Sequence, residues 1–186
     1  MRIISVIFRG KKILQPSDIS TRPLKDLTKE SIFNIIKHSN KFKINFEKSY
    51  ILDLFSGVGS FGLECISRGA KFVTFVENYK EVLPILKRNL SNLKVINNFK
   101  IIEKNILNDL DFNSLNQKFD IIFLDPPYKD KNLLIVLNKI IESKILSNNG
   151  IMIIHRHKKE LDDFPKNLEI IEKKIYGISK IIFTKI

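Results

Sequence analysis

The chain has 186 residues, 44% of them hydrophobic, which suits one domain with a substantial core. Its single cysteine excludes an internal disulfide and any cysteine-rich zinc site, and no apolar run nears the roughly 20 residues of a membrane span. The formal charge of +12 suggests a polyanionic partner, although a lysine-, isoleucine- and asparagine-rich composition also raises charge without any binding role. The opening MRIISVIFRGKK lacks the small-residue cleavage site of a signal peptide, so the expectation is a soluble, cytoplasmic monomer.

In chain order, RIISVIFRGKKILQP reads as two short strands joined through Arg9-Gly10. Residues 1–17 hold Arg2, Arg9, Lys11 and Lys12 and no acid, so this basic hairpin is the expected RNA contact. TRPLKDLTKESIFNIIKH predicts a helix from near Pro23, with Leu27, Ile32, Ile35 and Ile36 as its apolar stripe and Asp26 in its first turn. The polar NKFKINFEKS connects this extension, residues 1–48, to a main domain over residues 49–186.

From Tyr50 onward strands and helices alternate. YILDLF is a strand and GSFGLECISRG a helix closed by Gly69; KFVTFVE is the next strand, and YKEVLPILKRNLSNL a helix with Pro84 early in it. FKIIEKN and FDIIFLD are strands with a short helix between them; KDKNLLIVLNKIIESKIL is helical. GIMIIHRH is a strand after Asn148-Asn149-Gly150, and LEIIEKKIYGISKIIFTKI forms two strands around Tyr176-Gly177. This alternation implies an α/β fold: a Rossmann-like, mainly parallel, doubly wound sheet with an antiparallel C-terminal edge and a small N-terminal hairpin.

Gly57, Gly59 and Gly62 spell G-x-G-x-x-G between the first strand and helix of the main domain, a spacing that brings backbone close to a ligand. Glu77, 20 residues after Gly57 at the next strand's end, suits a ribose diol. The bland reading is a tight βα turn with a solvated acid. A dinucleotide strand is ordinarily apolar where Asp53 stands; a carboxylate there can organise the loop and hold a ligand's ammonium group. The resulting D-x-F-x-G-x-G resembles the first motif of S-adenosylmethionine-dependent methyltransferases. Asn105, ending the third strand, is placed to hydrogen-bond an adenine amino group.

The fourth strand, FDIIFLDPPYK, is apolar without alternation and then stops on Asp125, Pro126, Pro127 and Tyr128. The prolines donate no backbone hydrogen bond and end the ladder, leaving Asp125 and Tyr128 on a stiff turn at a strand's carboxyl end, where open α/β sheets bind ligands. Alone, DPPY is equally a rigid turn. Beside a methyl donor, the Asp125 carboxylate and the Pro126 carbonyl can hold the hydrogens of an exocyclic base amine, and Tyr128 can stack on the base.

Taken in order, RIISVIFRGKKI, TRPLKDLTKESIFNII, LDLFSGVGSFGLECISRGA, VE, DPPY and GISKIIFTK resemble the bacterial 16S ribosomal RNA guanine-N2 methyltransferase family over almost the full length. The resemblance implies transfer of a methyl group from S-adenosylmethionine to guanine N2, on RNA within a small-subunit particle. It implies a catalytic set of Asp125, Pro126, Pro127 and Tyr128. The implied cofactor set is Asp53, Phe55, Gly57, Gly59, Glu77, Asn78, Asn105, Ile106 and Arg22. Two departures stand out: Leu24 and Lys25 replace small polar residues after Arg-Pro, and His155 stands where the family often has an acid.

Other readings follow from the same residues. DPPY selects an amine geometry, so adenine N6 in another nucleic acid is an alternative substrate. A catalytically silent RNA-binding assembly factor and a nicotinamide oxidoreductase are the remaining classes. His155 and His157 form H-x-H without a third ligand, so exposed histidines and no metal are expected. Cys65 reads as a small packing residue and Arg68 as a helix-end residue.

Overall fold

A computed structural model of the chain describes residues 1–16, 24–94, 97–128 and 130–186. Its helices are α1 (Asp26–His38), α2 (Ser60–Ser67), α3 (Leu83–Asn92) and α4 (Leu133–Glu142). Its strands are β1 (Tyr50–Leu54), β2 (Phe72–Val76), β3 (Phe99–Ile102), β4 (Phe119–Leu124), β5 (Leu146–His157), β6 (Glu169–Tyr176) and β7 (Ser179–Lys185). They form one seven-stranded sheet in the order β3-β2-β1-β4-β5-β7-β6. The first five strands in chain order run parallel, and β7 enters antiparallel between β5 and β6.

Around β1 and β4 both faces of the sheet are buried, which is why Ile51-Leu52 and Ile121-Ile122-Phe123-Leu124 show no polar alternation. On one face Ile51, Phe123 and Ile153 pack with Phe33 of α1, Phe61 of α2 and Leu86 of α3. Phe61 stacks on Phe123 at 4.0 Å between ring centroids. On the other face Leu52, Ile122 and Met152 meet Val136, Leu137 and Ile140 of α4. Ile3, Ile13 and Leu24 join the first cluster, so the N-terminal segment packs directly onto the main sheet. Among the described residues no helix is long and apolar enough to cross a membrane.

The N-terminal segment folds back as expected, but not as two strands. It makes one antiparallel bridge, Arg2 to Lys12, around a 3-10 turn at Val6–Phe8. The amides that would lengthen the ladder go to α2 instead: Ile4 donates to Glu64 Oε2 at 2.8 Å and Phe8 to Ser67 Oγ at 3.0 Å.

Other boundaries move for comparable reasons. Leu27, placed on the apolar stripe of α1, is exposed, and Phe33 takes its place in the core; Pro23 falls outside the described residues. The helix expected from Tyr79 begins at Leu83, because the Asn78 and Tyr79 amides are drawn to the Glu77 carboxylate. The short helix before β4 is a 3-10 turn at Phe112–Leu115, capped by Asp111. Strand β5 starts at Leu146 and contains Asn148-Asn149-Gly150; a register shift between Phe119 and Ile121 of β4 accommodates them.

Candidate active site

The strand order reverses between β1 and β4, and a crevice forms there at the strands' carboxyl ends. A cavity of 760 Å³ occupies it. From β1 and the following loop it is lined by Asp53, Phe55 and Gly57; from β2 by Glu77 and Asn78; after β3 by Asn105 and Ile106. The turn after β4 contributes Asp125, Pro126, Pro127 and Tyr128. One wall comes from the N-terminal segment through Gln15, Pro16 and Leu24, which sequence patterns did not assign to the site. Gly59 is not among the lining residues, and Arg22 lies outside the described ones.

The glycine loop is held from beneath by two carboxylates. Asp53 is buried, and its Oδ2 accepts from the Gly62 amide at 2.9 Å, tying β1 to the first turn of α2. Burial pushes the Asp53 carboxyl well above its usual range; the Gly62 amide opposes this, while Asp125 and Glu77 add to it. Glu77 accepts from three amides: Gly57 at 2.8 Å, Asn78 at 2.9 Å and Tyr79 at 2.8 Å. A carboxylate has about four acceptor positions, so one remains for a ligand hydroxyl. Gly59 starts α2 at φ +85, where a Cβ would lie 2.5 Å from Leu86 Cδ1; its role is a turn and close packing.

Asn105 lines the cavity from the turn after β3. Its Oδ1 accepts from the Leu107 and Asn108 amides at 2.9 and 3.1 Å. It shapes the turn that sets Ile106 against the cavity.

The DPPY turn is clamped by residues that no motif pointed to. Arg156, almost fully buried, donates to the Pro127 carbonyl at 3.1 Å and the Asp130 carbonyl at 2.9 Å, and pairs with Asp162 at 2.8 Å. His155, expected as exposed, is 2% exposed. Its Nδ1 lies 2.8 Å from Asp125 Oδ1 and its Nε2 2.9 Å from Ser179 Oγ. The reason is topological: β5 is β4's parallel neighbour, with Ile154 beside Leu124, so the next residues of both strands adjoin. That adjacency was the available signal. Tyr128 sets its ring edge-on to His155 and His157, at 5.8 and 5.1 Å.

The remaining candidates take structural or peripheral places. Among the described residues, no group of three His, Cys, Asp or Glu side chains could hold a metal ion. Burial raises the Cys65 thiol well above its ordinary range, which leaves it an unreactive packing group. Arg68 pairs with Glu64 at 3.0 Å and lies over the Phe33 ring. Arg2, Arg9, Lys11 and Lys12 are exposed, on a loop that follows α2 from Ser60, beside Met1, to Ser67, beside Phe8.

The family model described as Conserved hypothetical protein 95 matches residues 1–185. Ribosomal RNA small subunit methyltransferase D of Buchnera aphidicola subsp. Acyrthosiphon pisum is 34% identical over 173 residues, 93% of this chain and 86% of its own. The Haemophilus influenzae protein of that name is 32% identical over 179 residues, 96% of this chain and 90% of its own. The solved Haemophilus influenzae protein HI0767 superposes with a TM-score of 0.74 at 32% identity, over 98% of this chain and 96% of that one. With a full-length family match, a shared fold and the DPPY turn in a common cavity with the glycine loop, this chain belongs to the bacterial small-subunit ribosomal RNA methyltransferase family that its motifs resemble.

Proposed function

We propose that this protein transfers a methyl group from S-adenosylmethionine to the exocyclic N2 amine of a guanine in 16S ribosomal RNA, within a small-subunit particle. The observation that carries this reading is the meeting of Asp125 with Asp53 and Glu77 around one cavity. The acidic lining, these three residues with Asp130, suits a ligand with positive charge and a ribose, and a pyrophosphate would add negative charge to it; this favours the sulfonium cofactor over a nicotinamide dinucleotide. The names of the relatives supply the ribosomal substrate.

Asp53 would face the cofactor's ammonium group, directly or through water, and Glu77 would accept from its ribose. Phe55, Asn78, Asn105 and Ile106 would enclose the remainder. When bound, the cofactor supplies a strongly electrophilic methyl group. The protein's own task is then positioning. Asp125 and the Pro126 carbonyl hold the amine hydrogens and favour the more nucleophilic nitrogen geometry, and Tyr128 stacks on the base. Clamping of the turn by Arg156 keeps this acceptor pair fixed relative to the glycine loop.

The test is nucleoside mass mapping of 16S ribosomal RNA from a deletion strain, with and without complementation. Loss and restoration of one N2-methylguanosine is the expected result; a methylated adenosine in its place would overturn the base assignment.

A further inference from the structure

From the contacts of the buried imidazole beside the DPPY turn, we infer that His155 is a positioning residue for Asp125. It acts through an Nδ1–H donor, with Ser179 on the other ring nitrogen. This rests on the reading of Asp125 as the amine acceptor. Asp125 is partly exposed to the cavity, and His155 Nδ1 reaches one of its oxygens, Oδ1, at 2.8 Å. A donor there stops the carboxylate from turning and leaves Oδ2 to meet the amine. The other ring nitrogen, Nε2, faces two hydroxyls, Ser179 Oγ at 2.9 Å and Tyr128 Oη at 3.3 Å. Hydroxyls can donate to a bare nitrogen, whereas the Asp125 carboxylate only accepts, so the proton belongs on Nδ1.

Among the described residues, Asp125 from the end of β4, Tyr128 from the turn and Ser179 from β7 are the polar contacts of the ring. Its strand neighbour Arg156 and the cross-strand Lys180 both bind Asp162 instead. His155 is therefore a link between β7 and Asp125 Oδ1, and through Tyr128 Oη it also reaches the Tyr128 ring.

The test pairs two substitutions with one spectroscopic measurement. His155→Asn puts an amide N–H near the place of Nδ1, while His155→Gln carries its amide toward Nε2, away from Asp125. Single-turnover methyl transfer to small-subunit particles, at saturating S-adenosylmethionine, should stay near the parent rate for Asn. For Gln it should fall about 10–100-fold, the scale of a misplaced reacting group. Cofactor affinity should be unchanged in both. Equal rates for the two variants, whether both retained or both lost, would overturn the role of the Nδ1 donor. Imidazole nitrogen chemical shifts of the unaltered protein should show Nδ1 protonated; a bare Nδ1 would overturn the donor without reference to any substrate. If the unaltered protein methylates no small-subunit RNA, the functional reading fails instead, and the nitrogen shifts still decide this inference.

Discussion

Asp125 lines the cavity with its Oδ1 at 2.8 Å from His155 Nδ1, and the proposed amine contact would fall to Oδ2; this division shapes what its removal should do. Asp125→Ala deletes an acceptor at a partly exposed strand end and leaves the Asp53 and Glu77 network intact, so fold and cofactor affinity should persist. Single-turnover transfer should fall by about 100-fold or more, as for other preorganised polar groups aimed at a reacting atom. Near-normal incorporation into small-subunit particles by this variant would remove Asp125 from the mechanism. If the proposed stacking holds, Tyr128→Ala should cost about 1–3 kcal/mol of base placement. Tyr128→Phe should be milder, losing only the hydroxyl near His155. At this scale the sequence exposed groups that line the cavity, because an acid and two prolines ending an apolar strand are locally conspicuous. It did not expose His155 and Arg156, which acquire their roles only when β5 is laid beside β4. Asn105 carries a local task that its sequence neighbourhood did not display: its oxygen accepts from the amides of the turn that follows.

Elements behave as units here because backbone amides, not side-chain stripes, set several of their ends. Glu77 gathers three amides from the glycine loop and from the turn before α3, so it couples two elements as well as facing the cavity. Glu77→Ala should therefore do more than remove one ligand contact. It should weaken cofactor binding and lower stability by about 1–3 kcal/mol, the cost of leaving partly buried donors unpaired. Denaturant unfolding and a cofactor titration measure the two effects separately; loss of affinity with stability unchanged would reduce Glu77 to a ribose contact. The βα alternation was legible because both faces of the parallel strands are buried and three of the four crossovers carry an α-helix, the one from β3 to β4 carrying only a 3-10 turn. The N-terminal ladder was not, because Glu64 and Ser67 of α2 compete for its amides across some 60 positions of sequence. What survives of that hairpin is its charge. Exchanging Arg9, Lys11 and Lys12 for Glu should weaken RNA binding and flatten its salt dependence while leaving cofactor affinity alone, since these side chains are exposed and lie outside the cavity. An unchanged salt slope would mean that the three charges are only solvated.

The whole molecule sets a surplus of positive charge, +12, around a cavity lined by Asp53, Glu77 and Asp125. An anionic polymer suits the outside and a cationic ligand the inside. The sheet order that creates this arrangement was foreseeable in class, since alternating strands and helices predict a doubly wound sheet with its crevice at the carboxyl ends. The contribution of Gln15, Pro16 and Leu24 to the cavity wall was not, because it depends on how the N-terminal segment crosses the sheet. The apolar surroundings of the cavity floor have a consequence for pH. Burial pushes the Asp53 carboxyl well above its ordinary range, with Asp125 and Glu77 adding to the shift. A carboxyl raised on folding binds its proton more tightly in the folded chain, so its contribution favours the fold at low pH and is lost as pH rises through the folded-state value. Asp53→Asn should remove that loss: its melting temperature should exceed the parent's above that value and match it in acid, where the parent's Asp53 is also neutral. The same variant should bind S-adenosylmethionine more weakly, which makes Asp53 a site where stability is given up for function. Binding of a cation beside Asp53 favours its ionised form, so at pH values below the raised one the parent should release a proton as the cofactor binds. Calorimetry in buffers of different ionisation enthalpy reads this directly: the observed heat should vary with buffer for the parent and not for Asp53→Asn. A parent heat independent of buffer across the acid range would mean that Asp53 does not sense the cofactor's charge, and its place would be beneath the glycine loop alone.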